Sequence, residues 1–257
     1  NIYIADSSNN RIMKWEPGAT QGSVVAGGNG AGSGLNQLNY PYDIHLELNG
    51  DLYISEKGGN RVTKWAPGAS EGVVVAGGNG SGYATNQLNY QSGIHVDSLG
   101  NIYIADSSNS RVMKWAPNAS SGTVVAGGNG AGSDLNQLYS PQAIYVDSSL
   151  NIYITDAAMA RIMKWAPGAT AGVVVAGGNG IGSSLNQLNQ PSEISVDSSN
   201  NIYIADTYNW RVVKWAPQAK EGVLLTEAIL QKPHGISFDS SGNLYVADTM
   251  NHRVVKF

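Results

Sequence analysis

An all-β fold, a six-bladed β-propeller of four-stranded antiparallel blades, is predicted by three observations. One stretch returns six times, each return carries short alternating strand signals, and turn residues separate those signals. The stretch is NIYIADSSNNRIMKW at 1–15. It recurs as DLYISEKGGNRVTKW from Asp51, NIYIADSSNSRVMKW from Asn101 and NIYITDAAMARIMKW from Asn151. It comes again as NIYIADTYNWRVVKW from Asn201 and NLYVADTMNHRVVKF from Asn243. The first five copies start 50 residues apart and the last after only 42. A unit of this length must lean on its neighbours to bury its apolar face, so residues 1–257 are expected to form one domain.

The middle copy gives the elements in order. IHVD (94–97) alternates and ends in an acid, NIYIAD (101–106) and RVMKW (111–115) alternate again, and TVVA (123–126) is a short apolar run. SLGN, SSNS and APNASSG lie between them, and such short connections make neighbouring strands antiparallel. A glycine-rich crossover, GGNGAGS followed by NQL in most units, then leads to the next blade. In the second strand Ile2, Ile4 and Asp6 share one side; in the third, Met13 and Trp15 do. The Trp series 15, 65, 115, 165 and 215, with Phe257 last, is expected to supply much of the core between blades. The second and third strands occur six times, but the first and fourth only five. Blade 1 therefore lacks its inner strand and blade 6 its outer one, so either these blades are three-stranded or the chain is part of a longer one.

Composition narrows the function classes. The net charge is −4, 13% of residues are charged, and there is no cysteine, which excludes disulfides, zinc–thiolate sites and cysteine nucleophiles. All six Arg (11, 61, 111, 161, 211, 253) sit at one repeat position, and Lys14, Lys64, Lys114, Lys164, Lys214 and Lys256 at another. Basic residues so placed are framework, which argues against nucleic acid. No apolar run reaches membrane-spanning length. The compartment is left open, with an extracellular or cell-surface setting favoured.

These units resemble the NHL-repeat family, whose unit reads roughly P-x-G-I-x-V-D, then G-N-I-Y-V-A-D, then N-x-R-[IV]-x-K. The resemblance runs through nearly the whole chain and implies a six-bladed propeller. Kelch repeats are set aside because the spaced Tyr and Trp after the double glycine are missing, and WD repeats because their Trp-Asp signature is absent. NHL-type propellers serve as protein or RNA platforms and as parts of extracellular receptors. Relatives include the amidating lyase, and similar propellers act as lactonases.

The chemistry those enzymes need is thin in this sequence. The lyases place metal histidines in P-H-[GSD]-[IL] segments on three blades, and only Pro233-His234-Gly235-Ile236 matches. Tyr42, Ser92, Gln142 and Ser192 stand at the equivalent positions, and one histidine does not make a zinc site. His45 and His95 occupy matching positions on adjacent blades. Asp43 and Glu193 are the irregular acids expected near the channel mouth, where lactonase-like propellers hold a divalent cation. Glu47, Asp97, Asp147, Asp197 and Asp239 form a regular series expected to hold turns. The six Asp/Glu–Arg pairs, Asp6/Arg11 to Asp248/Arg253, bracket every second turn and read as framework. The glycine loops lack the helix start that a phosphate cradle needs, and read as positive-φ turns. Asn79-Gly80-Ser81 and Asn118-Ala119-Ser120 are N-glycosylation sequons.

What varies between copies is the turn after the second strand: SSNN, KGGN, SSNS, AAMA, TYNW and TMNH. This turn and the crossover are expected on one face. That face would carry Lys57, Met159, Tyr208, Trp210, Met250 and His252, with Tyr42, Asp43, Glu193 and His234 at the channel mouth. The short crossover 222–233 would leave a notch beside Tyr208, Trp210 and His252. The expected function is a non-catalytic binding module for a protein or glycan through this face, with no catalytic residue, metal or cofactor. The alternatives are a metal-dependent lactonase- or lyase-like enzyme, using Asp43, Glu193, His45, His95 or His234, and a structural repeat segment of a larger protein.

Overall fold

The computed structural model describes residues 1–226 and 229–257; Glu227 and Ala228, and with them part of the short 222–233 crossover, lie outside the described residues. The chain is all-β, a six-bladed propeller whose six antiparallel sheets are the blades. It divides into two compact units, Asn1–Val124 and Val125–Phe257.

In the first unit, blade 1 is β1 (Ile2–Asp6), β2 (Arg11–Trp15) and β3 (Ser23–Gly27). Blade 2 is β4 (Pro41–Leu46), β5 (Leu52–Glu56), β6 (Arg61–Trp65) and β7 (Val73–Gly77). Blade 3 is β8 (Ile94–Val96), β9 (Ile102–Asp106), β10 (Arg111–Trp115) and β11 (Thr123–Gly127), whose last residues belong to the second unit. In that unit, blade 4 is β12 (Pro141–Val146), β13 (Ile152–Asp156), β14 (Arg161–Trp165) and β15 (Val173–Gly177). Blade 5 is β16 (Ile194–Val196), β17 (Ile202–Asp206), β18 (Arg211–Trp215) and β19 (Val223–Leu224). Blade 6 is β20 (Pro233–Phe238), β21 (Leu244–Asp248) and β22 (Arg253–Lys256). Blades 1 and 6 have three strands and the other four have four, as the strand signals predict.

The register of the central pair explains the basic framework. Tyr3 faces Lys14 and Asp6 faces Arg11 across the β1–β2 ladder, and the same pairing repeats in later blades. In five blades the Lys Nζ stands 4.9–5.5 Å from the centre of the Tyr ring opposite, a cation–π contact. The Arg Nε donates to the facing carboxylate at 2.7–2.9 Å in all six blades. The turn between these strands is tighter than a plain hairpin. Ser7–Asn9 is a single 3-10 turn closed by Asn10 at φ 52°, and four other blades repeat it, closing on Ser110, Ala160, Trp210 and His252.

The Asp–Arg pairs also fasten each crossover to the blade that follows it. Arg111 Nη1 donates to Tyr83 O at 2.8 Å, and its Nη2 donates to Ala84 O and Gln87 O, both at 3.2 Å. Asp106 accepts from Asn89 N at 2.7 Å. Arg61, Arg161 and Arg211 repeat the pattern. Of the pairs, Glu56/Arg61, Asp106/Arg111 and Asp156/Arg161 are buried on both sides, unlike the exposed pairs that a turn position leads one to expect. Within each glycine loop, Asn29 and Gln37 cross-bond through their amides, Nδ2 to Asn36 O and Nε2 to Asn29 O, while Gly27, Gly28 and Gly30 take φ of 69–81°.

Trp65, Trp115 and Trp215 are buried between blades as expected and Trp165 is buried too, whereas Trp15 is half-buried and Phe257, just after β22, stays 40% exposed. A glycine lies flat against each ring. A Cβ at Gly122 would sit 2.5 Å from Trp115 Cε3, so Gly122→Ala forces overpacking and is expected to cost about 1–3 kcal/mol in chemical denaturation.

Candidate recognition face

Backbone hydrogen bonds join the turns to the crossovers, so both emerge at one end of the strands. Lys57 N donates to Tyr40 O at 3.0 Å, Ser108 N to Asn89 O and Ala158 N to Tyr139 O, both at 3.2 Å. Tyr208 N donates to Asn189 O at 3.1 Å and Met250 N to Gln231 O at 3.2 Å.

In the second unit this face is built on blades 5 and 6. Tyr208 is 55% exposed, Trp210 53% and Met250 55%, and His252 is exposed as well. Trp210 closes its turn at φ 56°. A bulky residue held there carries strain of order 1–3 kcal/mol, where Asn, Ser, Ala and His close the other turns. Lys232 reaches back so that its Nζ stands 4.9 Å from the Tyr208 ring. Blade 5 is latched to blade 6 beneath this surface. Ser192 Oγ donates to His234 O at 2.8 Å, and Thr207 Oγ1 donates to Pro233 O at 2.8 Å. Met159 and His234 are half-buried, and the half-buried Glu193 accepts from Ile194 N at 3.0 Å.

In the first unit the outcome differs from a plain exposed face. Lys57 is only 7% exposed. Its Nζ lies 3.4 Å from the centre of the half-buried Tyr42 ring and 5.0 Å from that of Tyr90. Burial lowers its pKa to about 8. Asp43 is held by backbone amides of two blades, Oδ1 accepting from Ile44 N and Oδ2 from Ile94 N, each at 2.7 Å. Crowding by protein raises its pKa to about 6 against those two hydrogen bonds, though the residue keeps partial access to solvent. Sequence reasoning missed Tyr40 and Tyr90, which are exposed at φ 52° and 53°. The available signal was their position: Ser140, Gln190 and Lys232 occupy it in the other crossovers, also at positive φ.

The histidine pair of adjacent blades does come together, with ring centres 5.2 Å apart in an edge-to-face arrangement. A groove of about 450 Å³ lined by His45, Glu47, Asn49 and Asp97 opens beside it. Burial lowers the pKa of His45. Burial first and the His45 charge second lower that of His95 to about 4. Both imidazoles are therefore neutral in the fold near pH 7, and protonation favours the unfolded chain. Stability is full above the ordinary value near 6.5 and falls as pH drops from there towards 4. The His45→Ser/His95→Ser variant takes the residue that Ser195 supplies in blade 5. Its unfolding free energy from chemical denaturation is expected to fall less between pH 7 and pH 4 than that of the parent, by an amount on the order of 3 kcal/mol.

Asp97, Asp147, Asp197 and Asp239 hold their turns as predicted: Asp97 Oδ1 accepts from Leu99 N at 3.0 Å and from Asn101 N at 2.9 Å. Glu47 departs from the series and lies 3.9 Å from Lys64 Nζ. Among the described residues no group of three or more His, Asp or Glu side chains is placed to hold a metal ion. Asp43 and Glu193 belong to different units. Among the described residues no helix is long and apolar enough to cross a membrane.

Six antiparallel blades carrying a turn-and-crossover face define a β-propeller of the kind that hosts both recognition and catalysis. The family model described as NHL repeat matches two stretches of the second unit, residues 188–215 and 230–257. No curated protein sequence matches it. Among solved structures it is similar to the nidogen/laminin complex, with a TM-score of 0.73, 17% identity, and coverage of 97% of this chain and 86% of that one. It is also similar to a gluconolactonase from Xanthomonas campestris, with a TM-score of 0.70, 13% identity and coverage of 95% and 77%. A virginiamycin B lyase from Staphylococcus aureus gives a TM-score of 0.59, 13% identity and coverage of 84% and 69%. At these identities the likeness is one of fold.

Proposed function

We propose that this propeller is a non-catalytic binding module that recognises a protein or glycan through the face formed by the second–third strand turns and the crossovers. The observation that carries the reading is the exposed trio Tyr208, Trp210 and Met250, seated on an otherwise repetitive framework. Large side chains of this kind, left half in solvent, are what binding anchors look like. Trp210 adds to this: all six turns close on a non-glycine residue at positive φ, and this one alone places a Trp there, half-exposed. The likenesses to the nidogen/laminin complex, the gluconolactonase and the lyase all concern fold, and that fold admits recognition and catalysis alike.

Tyr208→Ser/Trp210→Asn tests the reading, since Ser8 and Asn10 fill those positions in blade 1. The variant is expected to fold as well as the parent and to lose the partner that the parent captures from its source extract, with affinity at least about tenfold weaker. Equal capture by both proteins rejects these anchors.

A further inference from the structure

Departures from the repeat converge on one spot in the first unit. Lys57 stands where the other blades have Ser7, Ser107, Ala157, Thr207 and Thr249, and Tyr42 where they have Ser92, Gln142, Ser192 and His234. The exposed rings of Tyr40 and Tyr90 sit where other crossovers have Ser140, Gln190 and Lys232. The repeat framework needs none of the four, yet Lys57 N bonds to Tyr40 O and its Nζ faces the rings of Tyr42 and Tyr90.

The ammonium has no carboxylate among the described residues. The adjacent Glu56 is committed to Arg61 at 2.9 Å, to Thr63 Oγ1 at 2.8 Å and to Asn39 N at 3.0 Å. Asp43, next to Tyr42, is committed to Ile44 N and Ile94 N. A cation more than nine-tenths buried without an opposite charge is costly, and two tyrosine rings offset only part of that cost. An incoming carboxylate would complete the pairing, and a flat, hydroxyl-bearing body would lie against Tyr40 and Tyr90.

We propose that Lys57, with Tyr40, Tyr42 and Tyr90, binds an acidic sugar through the sugar's carboxylate. The inference rests on the reading of this face as a recognition surface and names a ligand class for it. The lowered pKa of Lys57 agrees with an ammonium that lacks its counter-charge.

The test is titration of the whole chain, its lysines labelled with ¹³C at the ε carbon, with sodium glucuronate, glucose or acetate at pH 7 and constant ionic strength. Glucuronate is expected to shift the Lys57 signal saturably, to bind at least about tenfold more tightly than glucose or acetate, and to raise the Lys57 pKa above 8. Lys57→Thr, with the residue of blade 5, is expected to abolish binding while leaving the melting temperature within a few degrees, and Tyr90→Ser, with that of blade 4, to weaken it. Equal binding of glucuronate and glucose, acetate as tight as glucuronate, no saturable shift, or unchanged affinity in Lys57→Thr each overturns the proposal. Failure here with Tyr208/Trp210-dependent capture intact leaves the binding module standing with another ligand. Success here without that capture moves recognition to Lys57.

Discussion

Arg111→Leu is expected to be among the most destabilising single changes in the chain, about 3–5 kcal/mol in chemical denaturation. The guanidinium is 1% exposed and its partner Asp106 is fully buried. Removing the cation leaves a carboxylate without counter-charge, and three crossover carbonyls, those of Tyr83, Ala84 and Gln87, lose their donor. Burial already raises the Asp106 pKa against four favourable contacts, two of which are the hydrogen bond and the charge of Arg111. Without Arg111 the carboxyl should take up a proton nearer neutral pH, so the variant should lose less at pH 5 than at pH 8. The control is Arg253→Leu, whose side chain is 50% exposed and donates to a single crossover carbonyl, that of Ile229. Its expected cost is smaller, about 1–2 kcal/mol: Asp248 is buried as Asp106 is, but its cation lies largely in solvent and it keeps the hydrogen bonds from Gln231 N and Asn251 Nδ2. Equal losses for the two variants would show that burial of the pair has no energetic consequence.

Trp165→Ala is expected to cost about 3–5 kcal/mol, through lost burial and the cavity left behind. The ring is 1% exposed, and Gly172 presses on it so closely that the neighbouring backbone is shaped to its face. Phe257→Ala, at the same repeat position but 40% exposed, should cost about 1 kcal/mol. If the two losses were alike, the aromatic series would not be the cement between blades.

The fold was legible because the repeat multiplies a weak signal. One NIYIAD is an ambiguous short strand, but six in register with RVMKW define a hairpin, and the counts of flanking signals predict three-stranded blades 1 and 6. The site was legible only in part. Tyr208, Trp210 and Met250 could be picked out as departures, and they are exposed. Lys57 could be picked out too, but its burial between Tyr42 and Tyr90 could not, because those residues lie 15 and 33 positions away, one in β4 and the other on the crossover to blade 3.

The sequence by itself determined the strand periodicity, the repeat length, the pairing of Asp with Arg and Tyr with Lys, and the places where copies differ. These are local or periodic properties, and a period-2 ladder turns them directly into register. Only the tertiary structure decided which ion pairs lost their water, which guanidinium donors went to crossover carbonyls, and which departures met in space. Burial depends on what a neighbouring blade puts over a residue. Identical motifs, Asp106/Arg111 in the interior and Asp248/Arg253 at the last blade, therefore end in different surroundings.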